Sequence, residues 1–137
     1  MATLKIKRTN EWVNMARNYK IYIDGQFVGR ISNGATKEFP ITAGQHTVRA
    51  KIDWCSSPDI FINIDTNEIE HLTVGSFKYS NWIMLLGLVT IGLHPLLKVL
   101  AGFGYTIILL IPLFLFHVYY ITIGRNKYLS LSETNAD

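Results

Sequence analysis

Between Trp82 and Ile123 the chain runs for 42 residues with a single charged side chain, Lys98. About 20 apolar residues in a helix cross a hydrocarbon layer about 30 Å thick, so the block has the length of two spans joined tightly. The sequence therefore predicts two transmembrane α-helices in a hairpin over 81–124, with a soluble domain over 1–80 before it and a short polar tail over 125–137 after it. The break is expected at His94-Pro95-Leu96-Leu97-Lys98, because a lysine at mid-bilayer costs at least about 2.5 kcal/mol and surfaces where it can. The first span then covers about Asn81 to Leu93, a short run that needs tilt, thinning or the Pro95 turn to reach across. The second covers about Gly102 to Ile123, with Gly102-Phe103-Gly104 as small-residue packing or a flexible start.

Flanking residues set the orientation. Trp82, Tyr119 and Tyr120 are expected at headgroup depth, and Lys98, Arg125 and Lys127 at the aqueous ends of the spans. Positive flanks favour the cytoplasm, which places both the domain and the C-terminus inside. The compact build points to a bacterial cytoplasmic membrane, and a lone cysteine, Cys55, fits a reducing compartment. The N-terminus lacks the apolar run of a secretory signal. Were only the second span to cross, the domain would lie opposite the tail, with about a hundred residues to translocate.

Residues 1–80 pattern as a sheet protein. They hold ten Lys/Arg against eight Asp/Glu, too mild a balance for a nucleic-acid partner, which calls for a dense basic stripe. Eighty residues support one small core. In Gln45–Trp54 the residues His46, Val48, Ala50, Ile52 and Trp54 share one face, a period of two that marks a half-buried strand. Alternation recurs around Leu4 and Ile6, Tyr19–Ile23, Ile60–Ile64 and Ile69–Val74. Asp24-Gly25 and Asn33-Gly34 signal tight hairpins, and Ala43-Gly44 leads into the longest strand. The expectation is an all-β domain of about seven short antiparallel strands, as a meander or sandwich. Asn10–Asn18 breaks the rhythm and reads as a crossover between sheets, with Trp12 capping the core.

The string Ile21-Tyr22-Ile23-Asp24-Gly25-Gln26-Phe27-Val28-Gly29, followed by Ala43-Gly44-Gln45-His46-Thr47-Val48, resembles a PEGA-type domain over roughly Lys20 to Ile52. The resemblance implies a small β-sandwich with an accessory or scaffold role, and it carries over no catalytic residue. Ser32-Asn33-Gly34 and Asp53-Trp54-Cys55 stand where that family often has Thr-Pro and Gly-Tyr.

His46, His71, His94 and His117 lie at least twenty residues apart, unlike the short spacing of metal ligands. His46 is expected to bond nearby backbone, and His117 a backbone carbonyl or a partner helix. Asp53–Asp59 is the most site-like loop: Trp54, Cys55, Ser56, Ser57 and Asp59 are the candidate interaction residues, although Trp54 is expected to close the core. Cys55 shows no local base to activate it. Lys5, Lys7, Arg8, Arg49 and Lys51 form a loose basic surface. No cofactor is implied. Together these features point to a non-enzymatic module at the bilayer that recognises a protein or peptide, through an exposed sheet edge or the Trp54–Asp59 loop. A small channel or transporter subunit, with His94, Lys98 and His117 on a pore, and an envelope domain that contacts carbohydrate through Trp12 and Trp54 are the alternatives.

Overall fold

A computed structural model of the chain describes residues 1–102 and 104–134. It carries nine strands, β1 (Ala2–Arg8), β2 (Tyr19–Ile23), β3 (Gln26–Ile31), β4 (Thr36–Ile41), β5 (Gly44–Ile52), β6 (Cys55–Ser56), β7 (Ile60–Ile64), β8 (Ile69–Ser76) and β9 (Leu129–Glu133), and two α-helices, α1 (Ser80–Ala101) and α2 (Leu110–Ile121). The strands form two packed sheets. One has the order β4-β1-β8-β9; the other is β3-β2-β5, with β6 and β7 both pairing the outer side of β5. Apolar side chains at alternate positions of both sheets meet between them: Leu4 and Ile6, Ile21 and Ile23, Val48, Ala50 and Ile52, Ile62 and Ile64, Leu72 and Val74 are all buried. The period-two patterning thus builds a sandwich core.

The chain changes sheet more often than a meander would. Asn10–Asn18 is indeed a crossover, from β1 in one sheet to β2 in the other. Asp24 and Gly25 both take positive φ, 50° and 77°, as the two-residue turn between Ile23 and Gln26 requires. Asn33-Gly34, expected as a second hairpin, is instead a corner: β3 and β4 belong to different sheets, and the turn closes through the Ala35 N–H to the Ser32 carbonyl at 3.1 Å. Pro40 sits in β4, an outer strand, where a missing N–H costs no ladder bond.

Two expectations about the end of the chain need correction. The segment expected as a polar tail contains β9, which pairs antiparallel with β8 from Ser76↔Leu129 to Leu72↔Glu133. Tyr128 and Leu129 are core residues. Its last three residues, 135–137, lie outside the described ones. The apolar block is therefore inserted between two neighbouring strands of one sheet.

The helices also divide differently. α1 does not stop at His94-Pro95 but runs 22 residues through Pro95 to Ala101, about 33 Å at 1.5 Å per residue. It ends where Gly102 adopts the left-handed conformation, φ 67°, and donates its N–H back to the Leu97 carbonyl. Lys98 lies in the last turn, where a cation offsets the helix dipole. The expected second span is the shorter one: a 3₁₀ stretch, Tyr105–Leu109, precedes the 12-residue α2. Pro112 explains that break, since it has no N–H to give the Ile108 carbonyl and fits an α-helix only in the first turn. Among the described residues one helix, α1, is thus long and apolar enough to cross a membrane, and Tyr105–Ile121 falls short of that length. The His94 ring holds the two legs together through Nδ1 and Thr106 Oγ1, 2.7 Å apart. Phe103, the centre of the Gly-Phe-Gly step, lies outside the described residues.

Candidate functional site at the junction of the domain and the helices

Strand register gives the sandwich two poles. β8 runs from Ile69 to Ser76 and hands the chain to α1, β9 begins just after α2, β1 ends at Arg8 opposite Val74, and β5 ends at Ile52. The loops 9–18, 32–35, 53–54, 77–79 and 122–128 therefore gather at one end, around the helices. The opposite pole carries the Asp24-Gly25 turn, Asp65, Glu68, Glu70 and Glu133. Burial, followed by the charges of Glu133 and Glu68, raises the Glu70 pKa there.

The Trp54 turn belongs to the junction and not to the core. β5 ends at Ile52, and Asp53, at φ 50°, starts a two-residue turn into Cys55, so the alternation stops one step before Trp54. Trp54 is 66% exposed. Its indole Nε1 donates to the Ile121 carbonyl at 3.2 Å, one of the terminal carbonyls that a helix cannot satisfy itself. Cys55 is buried beside the same carbonyl. Burial raises the thiol pKa, and the Asp53 carboxylate adds to that effect, so the sulfur is a protonated thiol and not an activated thiolate at neutral pH. Ser56 Oγ donates to Asn126 Oδ1 at 3.4 Å. Ser57 Oγ accepts the Ala50 N–H at 3.0 Å and donates to the Pro58 carbonyl at 2.8 Å. Asp59 is taken by Arg49 in a two-pronged pair, Nε and one terminal nitrogen each 2.5 Å from a carboxylate oxygen. Of the five loop candidates, Trp54 and Cys55 face the end of α2 and Ser56 the 3₁₀ turn that follows it, while Ser57 and Asp59 serve the sheet.

The expected anchors sit in two places. Trp82 is in the first turn of α1; Tyr119 and Tyr120 are in the last turns of α2; Arg125 and Lys127 lie in a 3₁₀ turn that follows it. Lys98 is at the far end. Tyr120 stacks on Phe77 with centroids 4.3 Å apart, and Phe77 meets Tyr128 at 5.6 Å. These rings join the strand end of β8 to α2 and to the residue before β9.

A buried polar network, not anticipated from composition, organises the rest of the junction. Arg8 was expected on a basic surface but is 0% exposed. Its place follows from parity, since Ala2, Leu4, Ile6 and Arg8 share the inward face of β1. The guanidinium donates to the carbonyls of Arg17 at 2.5 Å, Asn14 at 2.9 Å and Ile31 at 3.3 Å, and lies 3.6 Å above the Tyr19 ring centroid. Glu11, also buried, stands 3.9 Å from it and accepts from Tyr19 OH at 2.5 Å, from Thr9 Oγ1 at 2.8 Å and from the Ser76 N–H. Burial and Glu11 together raise the Tyr19 pKa far above its ordinary value. Gly75 leaves room for this: a Cβ there would stand 2.7 Å from Thr9 Oγ1 and 2.9 Å from Glu11 Oε1. The network fixes loop 9–18 while leaving Trp12 74% exposed. Trp12 does not cap the core; it stands beside Asn81, Leu85 and Leu88 of α1.

The histidines are separate. His46, 12% exposed, places Nδ1 2.7 Å from Asp24 and Nε2 3.0 Å from the Thr42 carbonyl, so both nitrogens face acceptors and the ring favours its charged form. The hydrogen bond with Asp24 raises the His46 pKa and lowers that of Asp24. A group with a raised folded pKa stabilises below its unfolded value and loses that contribution as pH rises through the folded one; the lowered Asp24 behaves in the opposite sense on the acid side. The pair is thus expected to stabilise most between about pH 4 and 6.5. Thermal melts of the wild type and His46→Gln should differ modestly near about pH 5.5 and converge as the pH rises through the raised His46 pKa. A gap that widens with pH would contradict the charged pairing.

Among the described residues, no group of three or more His, Cys, Asp and Glu is placed to hold a metal ion. In comparisons with known proteins, no family, no curated protein and no solved structure matches the chain.

Proposed function

We propose that the protein is a membrane-anchored, non-enzymatic β-sandwich module that recognises a protein or peptide at the surface of a bacterial cytoplasmic membrane. The observation that carries the anchoring is the pairing of β8 with β9 across the helices. Strands that pair must lie on one side of the bilayer, so a chain that leaves through α1 has to come back. The return leg Tyr105–Ile121 has a summed helical rise of about 28 Å at 2.0 and 1.5 Å per residue, close to the hydrocarbon thickness. In this reading both termini face the cytoplasm, with Arg125 and Lys127 retained there.

Recognition falls to the β6/β7 edge, which among the described residues pairs only with β5. Phe61 projects from β7 at 78% exposure, beside a depression lined by Gln45, His46, Thr47 and Asn63. An edge of this kind takes an extended peptide through backbone bonds and a pocket for alternate side chains. The likeness of residues 20–52 to PEGA-type domains supports an accessory role of this sort.

Reporter fusions before Met1 and after Asp137 are expected to report the cytoplasm alike; opposite compartments would overturn the anchoring. A photo-crosslinking residue in place of Phe61 should give one discrete adduct in native membranes, and the same residue at Lys5 none. Equal or absent labelling at the two positions counts against edge recognition.

A further inference from the structure

All three tryptophans lie at the junction pole, on three separate elements. Trp12 is carried by the crossover loop, Trp54 by the β5–β6 turn and Trp82 by the first turn of α1, and each is at least 65% exposed. Met15, in the Trp12 loop, is also exposed. Large apolar side chains on a small domain are ordinarily drawn inward, and here the loop that carries two of them is held by two buried charged residues, Arg8 and Glu11. The ion pair Arg17–Asp53 ties that loop to the Trp54 turn. The groove between Trp12 and the first turns of α1, lined by Met84, Leu85 and Leu88, is largely apolar.

The charge around this ring is one-sided. Lys78 and Lys127 line a single depression with Phe77 and Tyr120, and Arg125 opens the 3₁₀ turn that follows α2. Among the described residues none of these three cations is in an ion pair, while the nearby carboxylates are occupied, Asp53 by Arg17 and Glu11 by its buried partners.

We infer that the junction pole of the sandwich is itself a lipid-binding surface, in which Trp12, Met15 and Trp54 sit at headgroup depth with Trp82 and the cations Lys78, Arg125 and Lys127 take the phosphates of anionic phospholipids. Indole rings favour that depth because they present an apolar body and a polar N–H. Basic residues at the surface draw anionic lipid by charge. Trp12 stands beside the first turns of α1 and Trp54 bonds the last carbonyl of α2, which makes lipid the occupant continuous with the rest of the ring. The inference rests on the membrane anchoring proposed above.

The test uses the full chain in vesicles of equal parts phosphatidylcholine and phosphatidylglycerol, with bromine on the upper acyl carbons of one or the other lipid. Three single-tryptophan chains are made by Trp→Phe changes at the other two positions. Trp12 and Trp54 are expected to lose most of their emission, as Trp82 does, and to lose more to brominated phosphatidylglycerol than to brominated phosphatidylcholine. Lys78→Gln, Arg125→Gln and Lys127→Gln together should erase that preference. Quenching of Trp82 alone overturns the inference and leaves the anchor standing; an unquenched Trp82 sinks the anchoring itself. Equal quenching by the two lipids removes the anionic preference. If Trp12 escapes bromine yet is shielded from aqueous acrylamide, protein covers it and lipid does not. Should a single-tryptophan chain fail to fold, a nitroxide on Met15→Cys, in a chain with Cys55→Ser, decides the point: greater access to oxygen than to a water-soluble nickel complex supports lipid, and the reverse overturns it.

Discussion

A chain ending at Phe77 is expected not to fold, whereas Met1–Phe77 joined by a short Gly-containing turn to Lys127–Thr134 should give a soluble β-sandwich without its helices. The first lacks β9, and with it Tyr128 and Leu129, both in the core. Leu129 is 1% exposed, and truncating a leucine buried that deeply costs about 2–5 kcal/mol by itself. Small domains have about 5–15 kcal/mol in total, and loss of the whole strand also opens β8 as an unpaired edge next to buried Leu72 and Val74. The joined form is feasible because the Phe77 N–H reaches the Tyr128 carbonyl at 2.9 Å, so the ends that the helices now connect are already adjacent. Circular dichroism and urea titration of the two proteins check this. A cooperative β-type transition from the shorter chain would show that β9 is dispensable and would sink the view that the helices are an insertion in the sheet.

What was legible in the sequence was whatever depends on local periodicity. The two-layer sheet follows from alternation in β1, β2, β5, β7 and β8, and the Asp24-Gly25 hairpin from residues that tolerate positive φ. Trp54 leaves the core because the alternation ends at Ile52, where Asp53 turns the chain. β9 had its own signal, Leu129 and Leu131 against Ser130 and Ser132, but its partner β8 lies across the whole apolar block, and no local pattern encodes so distant a pairing. The helix boundary had a signal as well. Pro95 and Lys98 look like a break, yet Gly102 is the residue able to adopt the left-handed cap, and a cation in the last turn suits a helix that ends there. The junction was invisible for a different reason: Glu11 with Ser76 and Tyr128 with Asn14 meet only once distant strands are paired, and Trp54 with Ile121 only once α2 is also in place.

The buried pair at that junction should show its cost when one partner is removed. Arg8→Met takes away a guanidinium that satisfies the carbonyls of Asn14, Arg17 and Ile31, and leaves the Glu11 carboxylate buried without its counter-charge. Breaking one side of a buried ion pair costs about 3–5 kcal/mol, much of it the penalty of the charge left behind. Glu11→Gln should also be costly, for the opposite reason: Arg8 keeps its carbonyls and the Tyr19 ring beneath it but loses the charge it faces. Removing both charges together still leaves those carbonyls without the guanidinium but strands no unpaired charge, so the double variant is expected to lose clearly less than the two single losses added. Thermal melts of the four full-length chains in one detergent complete the cycle. Strict additivity, or a near-neutral Arg8→Met, would mean that the two side chains are independent and that loop 9–18, with Trp12 on its outer face, is held by its backbone alone.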